Sequence, residues 1–339
     1  MKTWKPYKRD EEAINILLDM LYGYQKSRTL FTASELDIFT VIGTDSKSSD
    51  EVAVLLNTDK DATKRLLDAL VALDLLEKYE NKYSNSKISL RFLVQRKPEY
   101  MSIIRYGSVA WDSWSELTNA VKTGKPKHIK SIPDMRGEEL EAFIDAVHWR
   151  SSLLARDIVS QIDLRNVHRV MDLGGGVGDY AIEFVNQKPD IEAVIFTYEN
   201  CAPFAKDYLN YVKNREVASK ISIEVGDILK DDIGSGYDLI FLSFVMQNFN
   251  IWDNIELAKK VNDALNPGGK IVIQDLLIDD NRTSPEFNAL YSLELLVLTG
   301  EGNTYTNSDI WLILKEAWFS KIRTFNTQFG TSLVFAEKI

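Results

Sequence analysis

The sequence predicts a two-domain α/β protein: an α-rich N-terminal domain of the winged-helix type, then a seven-stranded sheet with helices between its strands. From residue 168 onward, short β-branched apolar runs alternate with helical patterns. A glycine cluster at residues 174–178 follows the first run and precedes a helical pattern. The last two runs are joined by a short turn at Gly330, so they predict an antiparallel hairpin at the end of an otherwise parallel sheet.

Composition is that of an ordinary globular protein. The chain has 339 residues, of which 45% are hydrophobic and 27% charged, and this length leaves room for two domains. The net charge of −10 argues against nucleic acid as the main partner, because phosphate binding needs a basic surface. The single cysteine, Cys201, excludes an internal disulfide and suits a reducing compartment. With three histidines in the chain, we expect no histidine-rich metal site.

The sequence gives no sign of a membrane segment or a secretory leader. No apolar run reaches the length of a membrane span. Residues 1–12 are charged throughout and lack the apolar region of a signal peptide. We therefore expect a cytoplasmic protein that does not span a membrane.

The first hundred residues predict the helix–helix–hairpin order of a winged helix. Apolar residues recur at helical spacing within residues 11–43, and a later helix opens at residues 58–61, where Asp59 or Thr58 can cap it. Residues 77–89 alternate and contain a turn signal at 80–82. Such a domain can bind DNA or form a dimer interface. Because acids are interspersed with the basic residues of the later helix, the dimer interface is favoured.

Residues 100–160 are predicted to be helical and are unusually aromatic. Glycine and prolines interrupt the pattern at 122–133, which predicts a loop. Trp111 and Trp114 lie one turn apart, on one face of a helix. Two interpretations stay open: this aromatic face packs in a core, or it forms the wall of an apolar acceptor pocket.

The C-terminal half contains seven strand candidates. They are residues 168–173, 192–198, 221–226, 237–244, 270–277, 320–327 and 331–337. A sharp turn at 266–269 precedes the fifth candidate. The glycine spacing is Gly174-x-Gly176-x-Gly178, whereas a dinucleotide fingerprint would place its third glycine where Asp179 stands. The glycine spacing and the terminal hairpin therefore argue against a dehydrogenase.

Taken together, these motifs resemble the dimeric small-molecule O-methyltransferase family, in the branch of the hydroxyneurosporene and bacteriochlorophyll methyltransferases. The resemblance covers about residues 12–339, and its motifs occur in the family's order. They are SRTLFTASEL at 27–36, TGKP at 123–126, DLGGGVG at 172–178, GD at 226–227, LNPGGK at 265–270, LTGEG at 298–302, KEAWF at 315–319 and GTSLV at 330–334.

The resemblance implies an architecture and a cofactor. Residues 1–100 would be a winged-helix dimerisation domain, 101–165 linker helices that contribute to the acceptor pocket, and 166–339 a Rossmann-like methyltransferase domain that binds S-adenosylmethionine (SAM). The expected partners are a small-molecule acceptor and a second copy of the chain. The leucine-rich N-terminal helices agree with a homodimer, because they exceed what one small winged-helix domain can bury.

The resemblance also implies a SAM site. The three glycines of the turn would bring the backbone against the donor's methionine part, and Asp227 would hold the adenine amino group. The family's ribose-binding acid is missing, because Thr197 occupies its position; Glu199 is the nearest acid. The predicted cofactor-binding residues are Asp172, Gly174, Gly176, Gly178, Glu199, Asp227, Ile228 and Ser243.

The catalytic positions depart from the family. Gln247 stands where the family usually has a histidine base, and an amide can orient an acceptor but cannot take its proton. The acidic partners of that histidine correspond to Asp275 and Thr304. Gln247, Asp275 and His148, a candidate replacement base, are the predicted catalytic residues. The predicted acceptor-binding residues are Trp111, Trp114, Phe244, Met246, Tyr291 and Leu295.

The missing histidine leaves the reaction open. The acceptor could be an acidic thiol, an activated phenol or a carbon atom, or another residue could serve as the base. The protein could also bind SAM without transferring a methyl group, act as a ligand-sensing regulator, or methylate a protein side chain.

Overall fold

The computed structural model describes residues 11–129 and 131–339. Residues 1–10 lie outside the described residues, and with them most of the charged segment used above for the prediction about a leader. The chain divides into two compact units, residues 1–108 and 109–339. The finer division at residues 100 and 165 stays a prediction. None of the described helices is both long enough and apolar enough to cross a membrane.

The N-terminal unit has the predicted helix–helix–hairpin order. Its helices are α1 (Glu11–Glu35), α2 (Ile38–Ile42), α3 (Ser49–Leu56), α4 (Lys60–Ala72), α5 (Lys87–Phe92) and α6 (Ile103–Val109). Its strands are β1 (Ser46–Ser48), β2 (Leu76–Tyr79) and β3 (Lys82–Asn85), in the order β1-β3-β2. Asp59 caps α4, since its side chain accepts a hydrogen bond of 2.8 Å from the backbone N–H of Ala62.

The core of the N-terminal unit leaves the first half of α1 uncovered. Phe39, Leu67 and Tyr83 are fully buried in that core. In contrast, Leu17 is 65% exposed and Leu21 57% exposed on α1. The exposed large apolar side chains of this helix are Ile14, Ile16, Leu17, Leu18, Met20, Leu21, Tyr22 and Tyr24. A row of this length marks an interaction surface rather than scattered surface hydrophobicity.

The C-terminal unit alternates helices and strands as predicted. Its helices are α7 (Trp111–Ser115), α8 (Leu117–Thr123), α9 (Gly137–Val159), α10 (Asp179–Gln187), α11 (Ala202–Tyr211), α12 (Arg215–Ser219), α13 (Ile251–Ala264), α14 (Glu286–Thr299) and α15 (Asn307–Glu316). Its strands are β4 (Arg169–Leu173), β5 (Glu192–Thr197), β6 (Ile221–Val225), β7 (Tyr237–Ser243), β8 (Leu265–Asp275), β9 (Phe319–Asn326) and β10 (Ser332–Lys338).

The seven strands form one sheet in the order β6-β5-β4-β7-β8-β10-β9. The first five strands are parallel, whereas β10 pairs antiparallel with both β8 and β9. This topology confirms the predicted sheet and its terminal hairpin. The chain reverses direction across the sheet at β4, because β5 lies on one side of it and β7 on the other. The crevice beyond the carboxyl ends of β4, β5 and β7 is therefore where such a sheet binds ligands.

Alternation along the strands places apolar side chains on both faces of the sheet. On β7, Leu239 and Phe241 join one buried cluster, whereas Ile240 and Leu242 join the other. Both faces are buried, as expected for parallel strands connected by helices.

The fifth strand begins earlier than predicted. It starts at Leu265 rather than at residue 270, because Tyr237 pairs with Leu265 before the predicted turn and Leu239 pairs with Lys270 after it. The four residues between form a bulge inside the strand, in which Gly268 has a φ of +74°. The backbone does bend at residues 266–269 as predicted, but the bend lies within the strand and not before it.

Candidate active site

A glycine turn joins β4 to α10 at the carboxyl edge of the sheet. Gly174, Gly176 and Gly178 have φ values of +79°, +56° and +93°, which L side chains rarely adopt. Their surroundings differ. A Cβ atom on Gly178 would collide with Ile195 of β5, so this glycine allows the turn to pack on the sheet. A Cβ atom on Gly176 would meet only Val147, at 3.1 Å, so the backbone there is accessible.

Asp172 supports this turn from below. Its Oδ2 accepts a hydrogen bond of 3.3 Å from the backbone N–H of Ala181, whereas its buried Oδ1 has no partner. Burial raises the pKa of Asp172 to about 7; the Ala181 N–H opposes this shift, and the charge of Asp179 adds to it. The structure therefore places Asp172 inside the fold, where its side chain accepts a hydrogen bond from the first turn of α10.

Asp227 lies just beyond β6, separated from its last residue, Val225, by Gly226. Its carboxylate accepts hydrogen bonds from the backbone N–H of Leu229 at 3.0 Å and from Lys230 Nζ at 2.8 Å. Burial alone would raise the pKa of Asp227, but the hydrogen bonds from Lys230 and Leu229 outweigh it, and the pKa is lowered. Asp227 is thus an ionised acid at the strand end, and the same contacts also suit a purely structural turn.

The other predicted SAM ligands lie around this edge. Ile228 is buried, with Cδ1 3.4 Å from the position of a Cβ on Gly174. Glu199 is exposed in the segment between β5 and α11. Ser243, at the end of β7, donates a hydrogen bond of 3.1 Å to Gln274 Oε1. Sequence reasoning missed Tyr198. Burial raises the pKa of the Tyr198 hydroxyl, and the charge of nearby Asp227 raises it further.

His148 is held on the α10 side of α9. Its Nδ1 lies 3.0 and 3.1 Å from the two carboxylate oxygens of Asp179, the first residue of α10. Ser151 and Tyr208 also donate hydrogen bonds to the Asp179 carboxylate. The hydrogen bond to Asp179 raises the pKa of His148, with burial opposing. The cluster ties α9, α10 and α11 together beside the glycine turn.

Arg150 extends from a different side of the same helix. Two residues along an α-helix correspond to about 200° of rotation, so Arg150 and His148 diverge. The Arg150 guanidinium carbon lies 4.6 Å from the ring centroid of Phe244, just after β7. The structure thus places His148 with Asp179 at the donor side and does not bring it together with Gln247.

Gln247 lies in a short 3-10 turn, Met246–Asn248, after β7 and is 5% exposed. Its Nε2 donates a hydrogen bond of 2.9 Å to the hydroxyl oxygen of Tyr291 on α14. Its backbone C=O accepts one of 2.9 Å from the N–H of Asn303. The side-chain Oε1 is buried without a partner. The amide is therefore oriented, and its oxygen is left for a ligand.

Asp275 ends β8 next to Gln247 and is 3% exposed. Its Oδ1 accepts a hydrogen bond of 2.8 Å from the N–H of Leu276, and its Oδ2 has no partner. Burial raises the pKa of Asp275 to about 7, opposed by the backbone N–H groups of Leu276 and Gln247 and by the charge of Arg150. Thr304 is also buried, with an unpartnered hydroxyl. The structure thus leaves two unpartnered polar oxygens on neighbouring residues, Gln247 and Asp275.

The predicted acceptor-binding residues separate into two groups. Tyr291 contacts Gln247, and Phe244 lies beneath Arg150 in a left-handed backbone conformation, with a φ of +55°. Leu295 is buried on α14, against which α7, with Trp111 and Trp114, also packs. Met246 is instead buried in the apolar core of the unit. Sequence reasoning missed Arg150, although an arginine among the aromatic residues preceding the sheet was a readable signal.

Family models match both parts of the chain. The model of the O-methyltransferase domain matches residues 114–320, and that of the O-methyltransferase dimerisation domain matches residues 18–95.

Curated relatives match along nearly their whole length. One is 3-hydroxy-5-methyl-1-naphthoate 3-O-methyltransferase of Streptomyces sahachiroi, 29% identical over 91% of this chain and 90% of the relative. Another is acetylserotonin O-methyltransferase of Gallus gallus, 29% identical over 92% of this chain and 94% of the relative.

Solved structures share the fold. Human N-acetylserotonin methyltransferase in complex with SAM has a TM-score of 0.82 at 25% identity and covers 99% of both chains. PigF with S-adenosylhomocysteine (SAH) has a TM-score of 0.88 at 21% identity, over 97% of this chain and 100% of that one.

Proposed function

The chain belongs to the O-methyltransferase family, and on this basis we propose that it methylates a hydroxyl group of a small aromatic acceptor. Family membership makes it a SAM-dependent methyltransferase. The names of two relatives specify O-methylation of a hydroxynaphthoate and of acetylserotonin. The observation that supports a hydroxyl acceptor is the pair of buried, unpartnered oxygens, Gln247 Oε1 and Asp275 Oδ2. Both can receive a hydrogen bond, and a hydroxyl can donate one.

The edge of the sheet fits SAM. The glycine turn exposes backbone that a Cβ at Gly176 would cover, and Asp227 and Glu199 supply carboxylates at the ends of the two strands beyond it. We assign the methionine part to the turn, the adenine amino group to Asp227 and the ribose hydroxyls to Glu199. Bound SAM supplies the methyl group on a positively charged sulfur, which leaves as neutral SAH.

We assign to Gln247 and Asp275 the two tasks for which the resemblance implies a histidine, namely orienting the acceptor hydroxyl and taking its proton. The single proton of the acceptor hydroxyl is shared between Gln247 Oε1 and Asp275 Oδ2, and the amide orients the O–H bond toward the carboxylate. Asp275 Oδ2 takes the proton as the O–H bond breaks. The deprotonated oxygen would then be the nucleophile for the methyl group that bound SAM would supply. A pKa of about 7 suits Asp275 to this role, because the carboxylate is present at neutral pH and is still basic enough to assist.

Binding and turnover together test this proposal. SAM and SAH binding is measured by calorimetry, and methyl transfer is followed with a panel of phenols, thiols, amines and carbon nucleophiles. We expect binding of both nucleosides and methylation of phenols. Transfer only to a thiol, an amine or carbon, or binding without any transfer, contradicts O-methylation.

We also propose that the protein is a homodimer formed through the N-terminal unit. The dimerisation-domain model matches this unit, and α1 exposes a row of large apolar side chains there. A second copy of the chain would cover that row. A size measurement at micromolar concentration distinguishes dimer from monomer.

A further inference from the structure

We propose that Arg150 binds a carboxylate of the acceptor, so that the preferred substrates are hydroxyaromatic acids. This inference rests on the proposed function and names the substrate class of the same site. The carboxylate would pair with the guanidinium while the hydroxyl reaches Gln247 and Asp275.

Arg150 presents hydrogen-bond donors that the protein leaves unused. The guanidinium carbon lies over the ring of Phe244, at 4.6 Å from its centroid. Among the residues that the structure describes, no oxygen accepts a hydrogen bond from Arg150, and no carboxylate is near enough to form an ion pair with it. A guanidinium stacked on an aromatic ring keeps its in-plane N–H groups free, and these match the two oxygens of a carboxylate.

Phe244 is held in place to form this platform. Its φ of +55° lies in the left-handed region, which is an outlier for an aromatic residue. The conformation is maintained because the N–H of Phe244 donates to Gln274 O at 2.9 Å and its carbonyl accepts from Asn248 Nδ2 at 2.9 Å. Backbone strain that persists in this way is concentrated at functional sites.

The charges around Arg150 favour an anion. Its charge acts on Asp275, Tyr291 and Glu294, so all three groups are close to it. Burial raises the pKa of both carboxyl groups, whereas a guanidinium stays charged at every physiological pH. Arg150 is therefore the permanent charge among these four groups. An anionic ligand that displaces water from the guanidinium would compensate this charge.

A carboxylate could also come from the methionine part of the donor. The placement of Arg150 favours the acceptor. Arg150 lies with Phe244, Tyr291 and Glu294, on the α14 side of α9. Val147, one helical turn earlier on α9, is the residue that a Cβ on Gly176 would meet. The test below separates the two sources.

The test compares two ligands of the same shape and different charge. Binding of 6-hydroxy-2-naphthoate and 6-hydroxy-2-naphthamide to the full-length protein, saturated with SAH, is measured by calorimetry. We expect the naphthoate to bind about tenfold or more tightly, as charge-assisted bidentate hydrogen bonds imply. Arg150→Gln should weaken naphthoate binding about tenfold or more and change naphthamide binding less than about twofold. Arg150→Lys should fall between, because it keeps the charge but loses the fork.

A matched control lies on the same helix. Arg156 is exposed near the end of α9, and Arg156→Gln should leave the affinity for both naphthalenes unchanged. SAH affinity should also stay the same in Arg150→Gln. If SAH affinity falls in Arg150→Gln while 5′-methylthioadenosine, which lacks the amino-acid part, binds as before, Arg150 serves the donor and the inference is wrong.

The remaining outcomes are equally decisive. Equal affinity of wild type for both naphthalenes, no naphthoate binding at millimolar concentration, or a preference that survives Arg150→Gln each overturn the inference. Methylation of neutral phenols with no preference for acids would overturn it while leaving the proposed function intact. Failure to bind SAH, or to methylate any phenol, would overturn the proposed function itself.

Discussion

Gln247 and Tyr291 are joined by a hydrogen bond of 2.9 Å in which the amide nitrogen donates to the phenol oxygen. This bond decides which end of the amide faces the ligand. With Nε2 occupied, the unpartnered Oε1 is the end available to an acceptor hydroxyl. An amide in this orientation can accept a proton in a hydrogen bond but cannot remove it.

Removing the tyrosine hydroxyl should therefore loosen the amide without removing it. Tyr291→Phe and Gln247→Ala should each lower kcat/KM for a phenol by about tenfold, within the range of one lost hydrogen bond. Because both act through the same amide, the double variant should be no worse than Gln247→Ala. Steady-state kinetics on the three variants measures this coupling. Fully additive losses would show that Tyr291 acts independently of Gln247.

Asp275→Asn should lower the rate of methyl transfer by a factor of about 10² or more, as loss of a general base does. The wild-type rate should rise with pH through about 7 and then level off, because the carboxylate is the active form and its pKa is raised to about 7. This limb should vanish in the variant. Adding Gln247→His to Asp275→Asn should restore part of the rate. Asp172→Asn is the matched control, since its pKa is also raised to about 7 beneath the glycine turn. It should weaken SAH binding and keep the pH limb.

The ion pair between His148 and Asp179 should make stability depend on pH. Asp179 raises the pKa of His148 above its ordinary value of 6.5. The ion pair therefore contributes fully to folding stability below pH 6.5, and this contribution is lost as pH rises through the raised pKa. With His148 about one-third exposed, we expect about 0.5–1 kcal/mol. Urea unfolding of His148→Gln at pH 5.5 and pH 9 measures it. His128→Gln, at an exposed position, is the control and should change stability little at either pH. A loss of equal size at both pH values would rule out the ion pair.

Substitutions at two glycines of the turn should have different effects. Gly176→Val should abolish SAH binding, because a branched side chain at a φ of +56° and against Val147 would displace the turn backbone that we assign to the donor. Gly178→Ala should instead destabilise the fold, because its Cβ would collide with Ile195, and strain at positive φ adds about 1–2 kcal/mol. Calorimetry with SAH and thermal melting separate the two effects. Normal SAH affinity in a folded Gly176→Val variant would remove the turn from the donor site.

Charged substitutions on α1 should dissociate the homodimer. Leu17→Glu with Leu21→Glu places two carboxylates on the exposed row, where a second copy would have to bury them. Light scattering at about 10 μM should then report a monomer. Trp252→Glu is the control, because Trp252 is 77% exposed on α13 of the other unit and should not affect assembly. An unchanged dimer in the double variant would place the interface elsewhere.

Local patterns predicted most of the fold. The β-branched runs, the helical spacing and the glycine turn depend on neighbouring residues, so the seven strands and the terminal hairpin were readable. The order of the strands across the sheet was not predicted. Strand β1 was not, because the three residues Ser46–Ser48 are extended only through pairing with β3. The start of β8 was misplaced for a similar reason: pairing of Leu265 with Tyr237 brings it into the strand.

The site was predicted less completely. Gln247 and Asp275 were identified through the family's motifs, and the structure places them side by side. The sequence did not reveal which face of α9 packs against which neighbour, because those neighbours lie far from α9 along the chain. That packing decides that His148 meets Asp179 and Arg150 meets Phe244. Long-range packing of this kind leaves no mark in the local sequence.

Strand β10 lies between β8 and β9, although it follows both of them in the chain. During synthesis, the sheet therefore cannot be completed until residues 332–338 have left the ribosomal exit tunnel. Until then, the backbone edge of β8 that pairs with β10 has no partner. Chaperones have this interval in which to act on the nascent chain. A protease cut or a premature stop just before residue 332 would remove an inner strand rather than trim an edge. We expect such fragments to aggregate or be degraded in the cell instead of persisting as partially active enzyme.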